Sequence, residues 1–228
     1  MGVEIFFLEP AKKAVKAAIA EAEKKTSAEI VVTVKRGCGD YRRADLEVGS
    51  LFALALLCVF LYHPEPFDFT YLPIELAAAF LLGGILSAYV PPIRRFFIPK
   101  KVLAANASRA AKAAFLDLGV HRTKGRTGVL IFVAAFERSV EVVADIGIHP
   151  KKLGASWDEV VRKLDRAFRL DGSIERFTDA IRELGPALGV EHPRAHDDEN
   201  ELPDHVDEHE DSDDEESEDE SESEGARA

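Results

Sequence analysis

The residues best suited to chemistry in this 228-residue chain are two carboxylates at predicted strand ends, Glu29 in "AEIVVTVK" and Asp145 in "VEVVADIGIH". Carboxylate oxygens suit hard divalent cations, so Glu29 and Asp145 are candidate ligands for Ca²⁺ or Mg²⁺, with Gly147 letting a backbone carbonyl come close. Two carboxylates make a poor site alone, and the sequence does not name a third ligand. The plainer alternative is that Glu29 solvates a helix-to-strand corner and Asp145 caps a turn. Just ahead of the second strand runs "HRTKGRT", residues 121–127, basic and rich in hydroxyls. Arg122, Lys124, Arg126 and Thr127 are candidates for holding a phosphate, or for resting on anionic lipid headgroups beside Arg42, Arg94 and Lys100. His149, alone after the Asp145 turn, reads as a surface residue.

Other chemistry has little support. No GxxxxGK[ST], GxGxxG, HExxH, paired CxxC or Ser-His-Asp spacing is present. Cys38, in a Gly-Cys-Gly-Asp turn, and Cys58, inside an apolar run, are too differently placed for a disulfide framework and read as free thiols of a reducing compartment. Four histidines, His192, His196, His205 and His209, form two pairs spaced four apart among carboxylates. A helix there would capture a transition metal. The alternatives are a disordered, solvated acidic tail with almost nothing apolar to bury, and a tail that docks reversibly on the basic remainder of the chain or on a basic partner. Residues 191–228 hold 19 Asp or Glu against two Arg, a net of −17 within a chain total of −12, which leaves +5 on the first 190 residues. No nucleic-acid partner is expected, and no signal peptide is read at the N-terminus, where Val3–Leu8 is short and contains Glu4.

Two apolar runs dominate the middle of the chain. Leu46–Tyr62, with Glu47 as its one charge, spans about 25 Å as a helix, and Tyr71–Ile93 a little over 30 Å, against a hydrocarbon core of about 30 Å. A short acidic, Pro-rich loop joins them. Arg42 and Arg43 on one flank and Arg94, Arg95, Lys100 and Lys101 on the other mark cytoplasmic ends. This predicts a two-helix transmembrane hairpin that enters and leaves on the cytoplasmic face of the inner (plasma) membrane, with both termini cytoplasmic. Tyr62, Tyr71, Tyr89 and Phe96 fall near the interfaces, and Ala77, Ala78, Ala79, Gly83, Gly84 and Ser87 offer small surfaces for close helix approach. The alternative is a buried helical hairpin of a soluble core.

The flanking segments must supply the elements that position the carboxylates. Pro10 opens a helix with Ala14, Val15, Ala18, Ile19 and Ala22 at helical spacing, and Glu29–Lys35 follows as a Val-rich strand. Beyond the apolar runs come a helix over Val102–Leu118, strands at Gly128–Ala134 and Val140–Ala144, a helix capped by Ser156 and carrying Trp157, Val160, Val161, Leu164 and Phe168, and another started by Ser173. A crossover makes the first two strands parallel and a tight turn makes the last two antiparallel. Glu29, Thr127 with Gly128, and Asp145 with Gly147 should therefore share one sheet edge.

The stretches "AIAEAEKKTSAEIVVTV" (18–34) and "AAFLDLGVHRTKGRTGVLIFVAAFERSVEVVADIGI" (113–148) and the closing amphipathic helices resemble the TPM domain family, shared by a thylakoid-lumen protein of photosystem repair, a nematode receptor modulator and many bacterial membrane proteins. The resemblance covers about residues 5–190, interrupted by the hairpin. It implies an α/β sandwich, a small mixed sheet flanked by helices. In some relatives it also implies weak acid phosphatase activity with a divalent cation held by acidic residues near strand ends; others look like non-enzymatic accessory subunits of membrane complexes. The expected organisation is residues 1–43 and 99–190 as two parts of one TPM-like domain, 44–98 as the transmembrane hairpin, and 191–228 as the tail. The expected function is a non-enzymatic assembly or regulatory module in the lipid bilayer, partnered by other membrane proteins. A divalent-metal-dependent phosphatase is the alternative.

Overall fold

The computed structural model describes residues 6, 8–63, 69–194 and 206–208, of which 69, 170, 171 and 206–208 only as backbone. Contacts divide the chain into two compact units, Met1–Lys35 with Ala111–Ala228, and Arg36–Ala110. The second is wider than the 44–98 stretch expected from hydropathy. Its flanks pack on each other: buried Tyr41 accepts a 3.1 Å hydrogen bond at its hydroxyl from Asn106 Nδ2.

The α/β unit begins with helix α1 (Glu9–Glu23), whose Ala11, Val15, Ala18, Ile19 and Ala22 form one buried stripe at helical spacing. Strand β1 (Ile30–Lys35) follows, and β2 (Val129–Ala134) and β3 (Ser139–Ala144) lie beyond the intervening unit. β1 and β2 pair in parallel from Ile30↔Val129 to Lys35↔Ala134, and β2 and β3 pair antiparallel from Val129↔Ala144 to Ala134↔Ser139. This is the topology read from the sequence, so the start of β1, the start of β2 and the end of β3 meet at one edge. The full sheet order is β3-β2-β1-β4, because a fourth strand, β4 (Val206–Glu208), adds in parallel beside β1. The expectation of a disordered tail is corrected for these three residues. Without them β1 would present an unpaired backbone edge.

One sheet face, Ile30, Val32, Val34, Val129, Ile131 and Val133, packs with α1, α7 (Ala155–Arg166) and α8 (Ile174–Gly189) around Leu164, Phe177, Ile181 and Leu184. α8 lies so close on α1 that a side chain at Gly185 would meet Ala22 O at 2.4 Å. Leu130 and Phe132 on the other face are fully buried, and Ala111, Ala114 and Phe115 of α5 (Lys100–Asp117) are buried as well. Ser173 caps α8 as expected, accepting from Arg176 N. Ser156 does not cap α7. Gly154, at φ 66°, ends a short helix α6 (Pro150–Leu153) and stands at the start of α7, two residues before Ser156. Only glycine tolerates that backbone readily.

In the other unit, α2 (Arg42–Tyr62) runs antiparallel in sequence order to α3 (Leu72–Tyr89), and both are long and apolar enough to cross a membrane. α2 starts four residues before the expected Leu46, so its 21 residues reach about 31 Å and need no thinning of a bilayer. α3 stops short of the expected Ile93. Val90 precedes Pro91 and leaves the helical region (φ −115°, ψ 87°), and α4 (Pro91–Phe96) restarts from the proline. The helices touch through Gly49, Phe80, Gly83 and Ser87: a side chain at Gly83 would come within 3.0 Å of Gly49 Cα. Ala77 and Ala78, expected on that face, are exposed, because the contact repeats every four residues through Gly83 and Ser87.

Candidate functional site

The converging strand ends build a small polar edge. Asp145 N donates to Gly128 O at 2.9 Å, extending the β2–β3 ladder by one bond, and Ile146 N turns back onto Asp145 Oδ1 at 2.7 Å. The chain then closes a turn through Ile148 N to Asp145 O. Across from it, Arg126 holds φ at 55°, a left-handed conformation uncommon outside glycine, and its carbonyl accepts from Gly147 N at 2.8 Å. A side chain at Gly147 would meet that same carbonyl at 2.4 Å. Gly147 is therefore required by the close approach of two loops.

Arg126 reaches over the turn to Asp145. Its Nη2 donates to Oδ1 at 3.1 Å, and Nε lies 2.9 Å from Oδ2 as an ion pair whose angle is too bent for a hydrogen bond. The Asp145 side chain is 2% exposed and that of Arg126 46%. The charge inside is thus neutralised by a partner that remains half in water.

Glu29 is buried at the same sheet edge, and its carbonyl accepts from Val129 N at 2.8 Å. It lines a cleft of about 340 Å³ with Ser27, Thr123, Lys124, Gly125, Thr127 and His192. Asp145 is not among those lining residues, so the two candidate metal ligands address different surroundings. Among the described residues no group of three or more His, Cys, Asp or Glu is arranged to hold a metal ion. Of the basic loop, Lys124 and Thr127 face the cleft, with Thr127 Oγ1 donating to Ser27 O at 3.4 Å and Thr127 N to Thr123 Oγ1 at 3.0 Å. Arg126 is turned onto Asp145, and Arg122 is exposed outside the cleft, alongside Gly119. The four residues expected to act together on one anion are thus divided. His149 Nδ1 sits 3.0 Å from Gly147 O and is exposed.

His192 was expected in the tail, paired with His196. It belongs to the α/β unit instead: its carbonyl accepts from Thr26 Oγ1 at 2.9 Å and Ser27 N at 3.0 Å, and the residue lines the cleft. His196, His205 and His209 lie outside the described residues. Sequence reasoning missed His192 and Ser27 as cleft residues, whereas Thr123 lay within the quoted loop. The contact between Thr26 and His192 bridges 166 positions and left no local signal.

It also missed a polar cluster in the other unit. Asp45 of α2 accepts from Ser87 Oγ of α3 at 2.7 Å and from Arg94 Nε of α4 at 2.8 Å, and a second nitrogen of Arg94 closes a bidentate pair on its other oxygen. Arg94, expected against lipid headgroups, is committed to this carboxylate. Arg42 and Arg43 pair loosely with Asp40 and Glu47 in the open.

These observations define a mixed α/β unit, its sheet flanked by helices and mostly helical overall, interrupted in sequence by a unit that carries two candidate membrane helices. No protein-family model matches the chain, and no curated protein does. Its fold is similar to the NMR structure of BA42 protein from the psychrophilic bacterium Bizionia argentinensis, at 20% sequence identity and a TM-score of 0.53, over 89% of this chain and 94% of that one. At that identity the likeness concerns the fold.

Proposed function

We propose that the chain is a membrane-anchored α/β module of the TPM type, without catalytic machinery of its own, that serves the assembly or regulation of other membrane proteins. α2 and α3 cross the inner (plasma) membrane, and the α/β unit with both termini lies on the cytoplasmic side. One observation carries the anchoring: only 17% and 11% of the most apolar windows of α2 and α3 are buried within the protein. A soluble core helix would hide most of that surface. Each large aliphatic side chain left in water forgoes about 1.5–3 kcal/mol, and Leu54, Leu61, Ile74, Leu81, Leu82 and Ile85 are all exposed. Lys and Arg cluster at the end of the pair away from the connecting loop, and Tyr62, Tyr71, Tyr89 and Phe96 are exposed near the helix ends, where amphipathic rings settle at an interface. The non-enzymatic reading is supported by the division of the basic loop and by the Arg126 guanidinium lying where a cation at Asp145 would sit.

Alkaline carbonate extraction tests the anchor, and thiol labelling of cysteines introduced at Glu65 and Arg194 in intact cells tests the orientation. The protein should stay in the membrane pellet, with Glu65 labelled and Arg194 protected; release into the supernatant, or the reverse labelling, overturns the reading. Turnover of p-nitrophenyl phosphate by the purified protein with Mg²⁺ or Ca²⁺, lost on Glu29→Gln, would overturn the non-enzymatic part.

A further inference from the structure

β1 has two edges, and its hydrogen bonds sort them. Glu29 O accepts from Val129 N at 2.8 Å and Lys35 O from Ala135 N at 2.9 Å. Backbone groups of successive strand residues point to alternate sides, so residues 29, 31, 33 and 35 address β2, while Ile30, Val32 and Val34 address the opposite edge. There Ile30 N donates to Glu23 Oε1 at 3.0 Å, which leaves the backbone groups of Val32 and Val34 as the open positions. Both residues are deep, at 1% and 3% exposure, where an unpaired N–H or C=O is costly. The tail meets this need: Val206–Glu208 runs parallel to β1 with Val32↔Val206, Thr33↔Asp207 and Val34↔Glu208, and it also touches α1.

We infer that this outer edge of β1 is a strand-addition site for an extended acidic segment, held closed in cis by the chain's own tail. Three features make the occupant exchangeable. Its ladder is three residues long, against six between β1 and β2. The segment that supplies it has Leu202 and Val206 as its only branched aliphatic residues, so main-chain pairing has to provide most of its hold. It also comes from a stretch of net charge −17, while the remainder of the chain carries +5, so attraction favours acidic segments without selecting this one. A partner segment that offers a longer run of free backbone N–H and C=O groups, with no proline opposite Val32 to Val34, takes the same edge once the tail leaves. The tail is then a built-in competitor that sets the threshold for docking.

Amide hydrogen exchange on the full chain in detergent tests this. In the wild type, Val32 and Val34 exchange slowly. In V206P/D207P, whose prolines disfavour strand pairing and so withdraw the tail carbonyls to which Val32 N and Val34 N donate, these two amides should exchange at least about tenfold faster, while Val31 and Thr33, which face β2, remain protected and show that the sheet is intact. A synthetic peptide of residues 199–212 added to the variant should restore protection, and the same peptide carrying the two prolines should not. Unchanged exchange in the variant, or equal restoration by the proline-bearing peptide, overturns the proposal. If the variant does not fold, the same peptide with a nitroxide label at its N-terminus, added in excess to the wild type, should broaden the Val32 and Val34 resonances; resonances left sharp overturn it as well.

Discussion

Arg126 and Asp145, 19 positions apart, form a pair in which the acid is hidden and the base is half in solvent: Nε lies 2.9 Å from Oδ2, with 2% and 46% of the side chains exposed. Removing either member is therefore not equivalent. Arg126→Gly suits the φ of 55° and isolates the loss of the guanidinium, stranding a buried carboxylate at a cost of about 3 kcal/mol or more. Asp145→Asn keeps an oxygen for Ile146 N and leaves an arginine that water can solvate, so it should cost about 1 kcal/mol. Chemical denaturation of both variants in detergent checks the order, which must place R126G as the weaker protein.

The same pair governs the response to divalent cations. A cation at Asp145 has to displace the guanidinium, so millimolar Ca²⁺ or Mg²⁺ should leave the wild-type melting temperature unchanged. In R126G the carboxylate is opened, and Ca²⁺ at a hundredfold excess over its dissociation constant should recover about 2.7 kcal/mol. A calcium-dependent rise in the wild type that is lost in Asp145→Asn would instead place the metal at this strand end.

Glu141 on β3 provides a pH signature. Burial raises its carboxyl above the ordinary value of 4.5, Asp165 adds to the rise, and Lys112 opposes it. The folded state thus favours the neutral form, and the stability this contributes is present below 4.5 and lost as pH rises through the folded value. Glu141→Gln stays neutral throughout. It should match the wild type at acid pH and exceed it near neutrality, as read from denaturant midpoints at the two conditions.

Two truncations separate the docked residues from the rest of the tail. Both chains lack β4, but one ending at Arg194 retains the His192 carbonyl on Thr26 and Ser27, while one ending at Val190 loses it. The shorter chain should be less stable by about 1–3 kcal/mol, having lost these two hydrogen bonds and the exposed one from Arg194 Nη1 to Glu23 O. Equal melting temperatures would mean that residues 191–194 merely lie on the surface.

The Asp45–Arg94 pair joins α2 to α4, and Ser87 of α3 shares the same carboxylate. A double-mutant cycle of Asp45→Ala and Arg94→Ala should give a coupling energy of about 1–3 kcal/mol in detergent. Ser87→Ala should reduce that coupling only slightly, because the bidentate pair survives it.

The sequence by itself determined everything that periodicity and composition encode. The stripe on α1, the Ser173 cap, the two apolar runs with their basic flanks and the strand pairing that brings Glu29, Thr127 and Asp145 to one edge were all legible, because burial on a helix or strand repeats at fixed spacing and a short turn dictates antiparallel pairing. Proline chemistry was legible too, yet the helix break at Val90 was passed over because the apolar run continues through it. Partner choice was decided only in three dimensions. Six cations flank the hairpin and several more fill the loop after α5, and nothing in the local pattern says that Arg94 closes on Asp45 or that Arg126 covers Asp145. His192 looked like one histidine of an acidic tail until its carbonyl met Ser27, and Val206–Glu208 carried no strand pattern because main-chain pairing at an open edge requires none. Charged and backbone contacts depend on which loops the fold brings within about 3 Å, a distance set by tertiary packing across tens to hundreds of residues and not by the neighbours in sequence.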